Sequence, residues 1–282
     1  MVTDKLLESN RPLIMGILNR TPDSFSDGGL YQDEAQALAH ALKMVEEGAD
    51  IIDVGGESTR PGSRRIEAGE QIRRVVPIIE RLRGSLPAAI PISIDTTRAE
   101  VAAAALAAGA SILNDISAGR DDPAMFKLAA RTGAPIILMH MQATPETMQI
   151  NPAYGDVVTE VKSFLLERTE AAQAAGIRRE QVFIDPGIGF GKTNEHNLAL
   201  MANLKQFVDT GYPVLLGTSR KRFMGAICAQ TEPKELLGAT CATTALGVMA
   251  GVKIFRVHDI KTNRQAADVA WAIHHLLSHP PP

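Results

Sequence analysis

Short apolar runs recur along the chain at Leu13–Leu18, Ile51–Val54, Ile90–Ile94, Ile112–Leu113, Ile136–Met139, Val182–Ile184, Val214–Leu216 and Ile254–Val257, and each ends on a polar or ionisable cluster. The ends carry Asn19, Asp53, Asp95, Asn114 with Asp115, His140, Asp185, Lys221, and Arg256 with His258. A strand buried on both faces reads as a continuous apolar run, and parallel α/β folds bind ligands just beyond the carboxyl ends of such strands. The pattern predicts a ring of polar groups gathered at one end of a parallel sheet.

Between the runs the apolar spacing lengthens to a helical period over Glu34–Glu47, Glu70–Arg83, Arg98–Ala108, Asp156–Ala175, Asn197–Val208, Lys234–Ala250 and Ala266–Leu277, with a shorter stretch at Pro123–Arg131. Gly48, Gly109, Gly133, Gly176 and Gly251 each close a helical stretch just ahead of the next run, where a left-handed residue ends a helix cheaply. Strand and helix thus alternate eight times, which implies parallel pairing through right-handed crossovers. The expectation is a single (β/α)8 TIM barrel over residues 1–282, with the active site at the C-terminal ends of its strands; an open doubly wound sheet is the competing arrangement.

Composition narrows the function without naming it. A chain of 282 residues suffices for one such barrel, and no apolar tract reaches the roughly 18–20 residues of a membrane span. Residues 1–10 contain Asp4 and Glu8 and no apolar core of a secretory signal. Cys228 and Cys241 are too few for a disulfide scaffold, so a cytoplasmic protein with free thiols is the expectation. A net charge of −3 gives no general pull toward nucleic acid, and any bound anion must be met by local cations. Two loops stand out: NRTPDSFSDGG at Asn19–Gly29 and VGGESTRPG at Val54–Gly62 are rich in glycine, proline and hydroxyl side chains, which suits mobile lids or backbone amides facing phosphate.

These loops, with SIDT at Ser93–Thr96, NDI at Asn114–Ile116, LMHMQ at Leu138–Gln142, DPGIGFGK at Asp185–Lys192, GTSRKRFMG at Gly217–Gly225 and RVHD at Arg256–Asp259, occur in one order that resembles the dihydropteroate synthase family, over about Leu13 to Asp259. That resemblance implies a TIM barrel that joins 6-hydroxymethyl-7,8-dihydropterin diphosphate to p-aminobenzoate, releasing diphosphate and forming 7,8-dihydropteroate in folate biosynthesis. It implies inhibition by sulfonamides, which mimic p-aminobenzoate, and a homodimer formed through late helices.

The resemblance also implies roles. Asp185 would take the amino and amide N–H groups of the pterin edge, as a carboxylate accepting two parallel bonds does. Asn114 and Asp95 would satisfy the rest of that edge, Lys221 the ring's acceptors, and Met139, Gly217 and Phe190 would line the pocket. Arg256 and His258 alternate along the last strand and would face the diphosphate with Asn19, which in the family also contacts Mg²⁺. Thr59, Arg60 and Pro61 from the second loop, with Phe190, Ser219 and Lys221, would cover p-aminobenzoate. Diphosphate departure leaves positive charge spread over the pterin, so Asp95, Asp185, Lys221, Arg256 and His258 would act electrostatically, with no covalent enzyme intermediate.

Arg20 stands where many members of the family have valine, and Arg222 where some have a serine that helps hold the aminobenzoate carboxylate. A strand-end aspartate read alone is as well explained as a helix cap, and Asp95 before Thr96 and Thr97 invites that explanation. Two other functions stay open at this level: a barrel that binds a methylated tetrahydrofolate and passes its methyl group to a corrinoid protein, and a non-catalytic pterin-binding paralogue.

Overall fold

A computed structural model describes residues 2–20, 30–59, 62, 63 and 65–278. Eight parallel strands form one sheet: β1 (Leu13–Asn19), β2 (Ile51–Gly55), β3 (Ile92–Asp95), β4 (Ile112–Asp115), β5 (Ile136–Met139), β6 (Val182–Asp185), β7 (Leu215–Leu216) and β8 (Ile254–Val257). Their order is β6-β5-β4-β3-β2-β1-β8-β7. A parallel bridge between Ile184 and Val214, with Ile184 N–H donating to Pro213 O at 3.0 Å, brings β7 back against β6 and curls the sheet into a barrel. The open-sheet alternative is thereby removed.

Helices α2 (Leu30–Glu46), α3 (Ala68–Ser85), α4 (Ala99–Ala107), α5 (Ala124–Thr132), α6 (Val157–Ala174), α7 (Asn194–Ala202), α8 (Leu204–Val208), α9 (Arg222–Cys228), α10 (Leu237–Ala250) and α11 (Ile260–Ser278) connect the strands or follow them, after an N-terminal α1 (Val2–Glu8). The glycine-marked ends hold, as at Gly133 (φ 72°) after α5 and Gly251 (φ 94°) after α10. Two expectations need correction, and two helices were not expected. The stretch Asn197–Val208 is two helices, because Asn203 leaves helical geometry at φ −117°, ψ 22°. The start of Lys234–Ala250 is a 3-10 turn, Pro233–Leu236, ahead of α10. The segments 2–8 and 222–228, too short for a helical period to declare itself, are α1 and α9.

Strand parity decides which residues face the barrel axis. Leu13, Met15, Ile51, Ile112, Ile137, Phe183, Leu215 and Ile254 pack together inside, and their sequence neighbours Ile14, Ile52, Leu113, Ile136, Val182, Leu216 and Phe255 pack outward against the helices. Leu6 of α1 is buried in the inner cluster, so α1 closes the barrel floor, held there by Lys253 Nζ donating to Leu7 O and Ser9 O. The opposite end is left as the mouth.

Candidate functional site

The same parity carries Asn19, Asp53, Asp95, Asn114, Met139, Asp185, Gly217, Arg256 and His258 to the inward face at the mouth. Each lies an even number of residues beyond an inward apolar residue, or, for Asp95, one residue beyond the outward Ile94. Asp115 has the opposite parity and serves a turn, accepting from Ser117 N–H at 2.8 Å and Gly119 N–H at 2.8 Å.

At the centre is a charged network that only partly matches expectation. Arg256 donates from Nε to Asp53 Oδ2 at 2.7 Å and from Nη2 to Asp95 Oδ2 at 2.8 Å, and Asn114 Nδ2 donates to the same Asp53 oxygen at 3.2 Å. Asp95 therefore pairs with a cation and does not cap α4, whose first N–H, Ala99, is accepted by Asp122 Oδ2 at 2.8 Å. Burial pushes the Asp95 carboxyl up, against Arg256, and the Asp53 carboxylate adds to the rise. The Arg256 guanidinium is held charged by Asp53 and Asp95, which outweigh the burial that opposes it. Asp53 is the member of this network to which the sequence pattern assigns a strand end and no role. Its signal was parity, since it lies two residues beyond the inward Ile51. Asp53 Oδ1 and Ser93 Oγ, paired in register on β2 and β3, are buried without hydrogen-bond partners.

On the β6 side Asp185 is 6% exposed, and its Oδ1 accepts from Gly187 N–H at 2.7 Å. Burial pushes its carboxyl up, with the Gly187 bond and the Lys221 charge opposing. Lys221 Nζ donates to Ile188 O and stands 4.1 Å from the Phe190 ring centroid. Phe190 packs with Met139, Ile116, Met141 and Met148. This wall is apolar, and its Ile116 lines a cleft together with Asp95 of the charged network.

His258 Nδ1 lies 3.0 Å from Ser219 Oγ, and His258 N–H donates to the same hydroxyl at 3.2 Å. Arg220, at φ 60°, clamps Asp259 through Nε and Nη2, which fixes the β7 end beside the β8 end. Thr59 and Asp95 line one cleft with Glu57, Thr97, Ile116 and Pro145. The second loop is fastened around it: Gly62 N–H donates to Pro145 O at 3.0 Å, Arg65 pairs with Asp121 at 2.6 Å, and Glu57 accepts from Ile66 N–H at 2.9 Å. Arg60, Pro61 and the first loop beyond Arg20 lie outside the described residues. Arg222 is exposed at the start of α9.

Among the described residues no cluster of three or more His, Cys, Asp or Glu is arranged to hold a metal. Asn19 Oδ1 suits a hard cation that keeps most of its ligands from water and phosphate. Gly55 lies between it and Asp95: a Cβ there would touch both, 3.5 Å from Asn19 Oδ1 and 3.7 Å from Asp95 Oδ2.

An eight-stranded parallel barrel whose mouth gathers carboxylates, an amide, an arginine and a lysine beside an apolar cluster suits a flat polar heterocycle with an anionic tail. The chain belongs to the pterin binding enzyme family, whose model matches residues 15–258. It is 47% identical over 263 residues to the dihydropteroate synthase of Synechocystis sp., covering 93% of this chain and 90% of that one. Among solved structures it resembles the Clostridium difficile dihydropteroate synthase determined in the presence of pteroic acid, at TM-score 0.88 and 44% identity over 93% of this chain and 97% of that one. The Xanthomonas albilineans enzyme with 4-aminobenzoic acid matches at TM-score 0.86 and 42% identity, over 96% and 94% of the two chains.

Proposed function

We infer that this chain catalyses the dihydropteroate synthase reaction, transferring the dihydropterinylmethyl group of 6-hydroxymethyl-7,8-dihydropterin diphosphate to the amine of p-aminobenzoate and releasing diphosphate. The observation that carries the inference is the 47% identity to a dihydropteroate synthase across 93% of the chain. The methyltransferase and paralogue readings gain no comparable support.

The pterin sits at Asp185, whose buried carboxylate is the acceptor for its guanidine-like edge, with Asn114 beside the charged network and Lys221 toward the ring's acceptor atoms. Met139 and Phe190 supply the apolar wall, and Gly217 leaves room where another residue would fill the mouth. As the carbon–oxygen bond to diphosphate breaks, positive charge spreads over the pterin, and Asp185 and Asp95 stabilise it. Arg256 and His258 stabilise the departing anion. The aminobenzoate amine then forms the carbon–nitrogen bond and gives up its proton to solvent or diphosphate, and no protein nucleophile takes part. Thr59, Arg60, Pro61 and Ser219 border the aminobenzoate, the position sulfonamides compete for. Mg²⁺, when bound at Asn19, adds charge stabilisation to the diphosphate.

The same reading takes the chain as one domain acting as a homodimer in the cytoplasm. Leu246, Val269, Ile273 and Leu276 are more than half exposed on α10 and α11, an apolar face that a second copy would cover. No described helix is long and apolar enough to cross a membrane.

Diphosphate release measured with and without p-aminobenzoate tests the function. Release that requires the amine and yields 7,8-dihydropteroate supports it. Absence of turnover with Mg²⁺ and both substrates present would favour a non-catalytic pterin-binding protein.

A further inference from the structure

Lys192 is 3% exposed and has no part in the roles assigned above. It closes the DPGIGFGK segment, and its side chain folds back over the turn that precedes it. Nζ stands 2.9 Å from Gly187 O, 2.9 Å from Phe190 O and 2.9 Å from His140 Nδ1, with His140 O at 3.4 Å. An ammonium carries three protons, so two turn carbonyls and one imidazole nitrogen satisfy it. The His140 ring is neutral: burial first, then the charges of Lys192 and Arg120, push its pKa down to about 2.

Packing leaves this turn no slack. Gly187 has φ 65°, and a Cβ there would stand 1.9 Å from His140 O; at Gly191, with φ 62°, it would stand 2.8 Å from Gln142 O. The turn is therefore pressed against the chain beyond β5, and Lys192 bonds to both sides of that seam.

The other side of the turn faces the mouth. Ile188 O accepts from Lys221 Nζ, the Phe190 ring lies 4.1 Å from that same ammonium, and Gly187 N–H donates to Asp185 Oδ1 at 2.7 Å. Carbonyls of one turn thus go to two lysines, Gly187 and Phe190 to Lys192 behind it and Ile188 to Lys221 in front. We propose that Lys192 is a positioning residue for the reaction, fixing the 187–190 turn so that Phe190 and Lys221 stand correctly over the Asp185 end of the mouth. The proposal rests on the pterin site placed at Asp185. Burial lowers the Lys192 pKa well below that of a free lysine, opposed by Asp185. An apolar side chain of similar volume would fill the space without that desolvation cost, so what the three hydrogen bonds add is orientation.

The test is calorimetric binding of a pterin lacking diphosphate to the full chain, well below the unfolding transition. Lys192→Met should bind about tenfold or more weakly, the scale of a misplaced contact group. Leu165→Ala, which removes a fully buried side chain of α6 in the outer packing layer, should lower the melting temperature without changing that affinity. Asp185→Ala should weaken that binding further still. Native affinity in Lys192→Met beside a weakened Asp185→Ala overturns the positioning role and leaves the pterin site standing, whereas native affinity in Asp185→Ala overturns the site itself. Should Lys192→Met fail to fold, His140→Leu removes the Nδ1 acceptor and leaves both turn carbonyls in place. A few-fold weakening there supports the proposal, and native affinity overturns it.

Discussion

Arg256 Nε donates to Asp53 Oδ2 over 2.7 Å, tying the cation of β8 to the carboxylate of β2 across the intervening β1. The residue expected to face diphosphate is thus pre-set by a carboxylate that is 0% exposed, and Asp95 completes a fork around the guanidinium. Removing one member of a buried ion pair strands the other, which typically costs about 3–5 kcal/mol. Asp53→Ala should therefore lower the melting temperature markedly and reduce turnover. Replacing all three members with apolar residues, as in Asp53→Leu and Asp95→Leu with Arg256→Met, should restore much of the stability while activity stays lost, because Arg256 bridges both carboxylates. Thermal unfolding of the single and triple variants checks this, and a triple variant no more stable than Asp53→Ala would count against an uncompensated charge as the cause.

Asp185 offers the second measurement. Its carboxylate is buried and has one short bond, from Gly187 N–H, leaving acceptor capacity for a ligand. Asp185→Ala should weaken binding of the pterin diphosphate by about 2–5 kcal/mol while the far-ultraviolet circular dichroism stays native. Calorimetry showing undiminished binding would remove the pterin from this end of the barrel.

His258 and Ser219 share a hydrogen bond at the β8 and β7 ends, and that pairing bears on the leaving group. Contacts that strengthen as charge develops lower the turnover number more than they change ground-state binding. His258→Ala should reduce kcat with little loss of affinity for a pterin that lacks diphosphate, and Ser219→Ala should show a smaller effect of the same kind. Equal losses in turnover and in that affinity would assign His258 to the pterin and not to the diphosphate.

Lys221 gives a pH dependence whose sign can be worked out. Burial pushes its ammonium down to about 7 from 10.5, against Asp185 and with Arg256. Below about 7 it is charged and donates; above that it loses its proton, so pterin affinity should fall as pH rises through 7 to 8. This group's contribution to stability runs the other way. Between about 7 and 10.5 the unfolded chain holds the proton that the folded one has released, so folding gains as pH rises across that window. Titrating pterin binding against pH in native protein and in Lys221→Met checks the first part, with a flattened profile expected in the variant.

The sequence by itself determined the barrel and most of its mouth, because both follow from a local rule. Apolar runs at strand length, helical periods between them and glycines at φ above zero each depend on a few consecutive residues, and strand parity then sends Asn19, Asp95, Asn114, Asp185, Arg256 and His258 to one face. Tertiary structure alone decided what those groups do to one another. The partners of Arg256 lie 203 and 161 residues away, and they meet because β3, β2, β1 and β8 are successive neighbours in the closed sheet, a proximity no local pattern encodes. Lys192 was legible only as the last letter of a motif, since its acceptors belong to a turn and to the end of another strand. The helices 2–8 and 222–228 escaped for a related reason: α1 is held by the barrel floor it plugs, and a helix that short draws its stability from packing more than from its own residues.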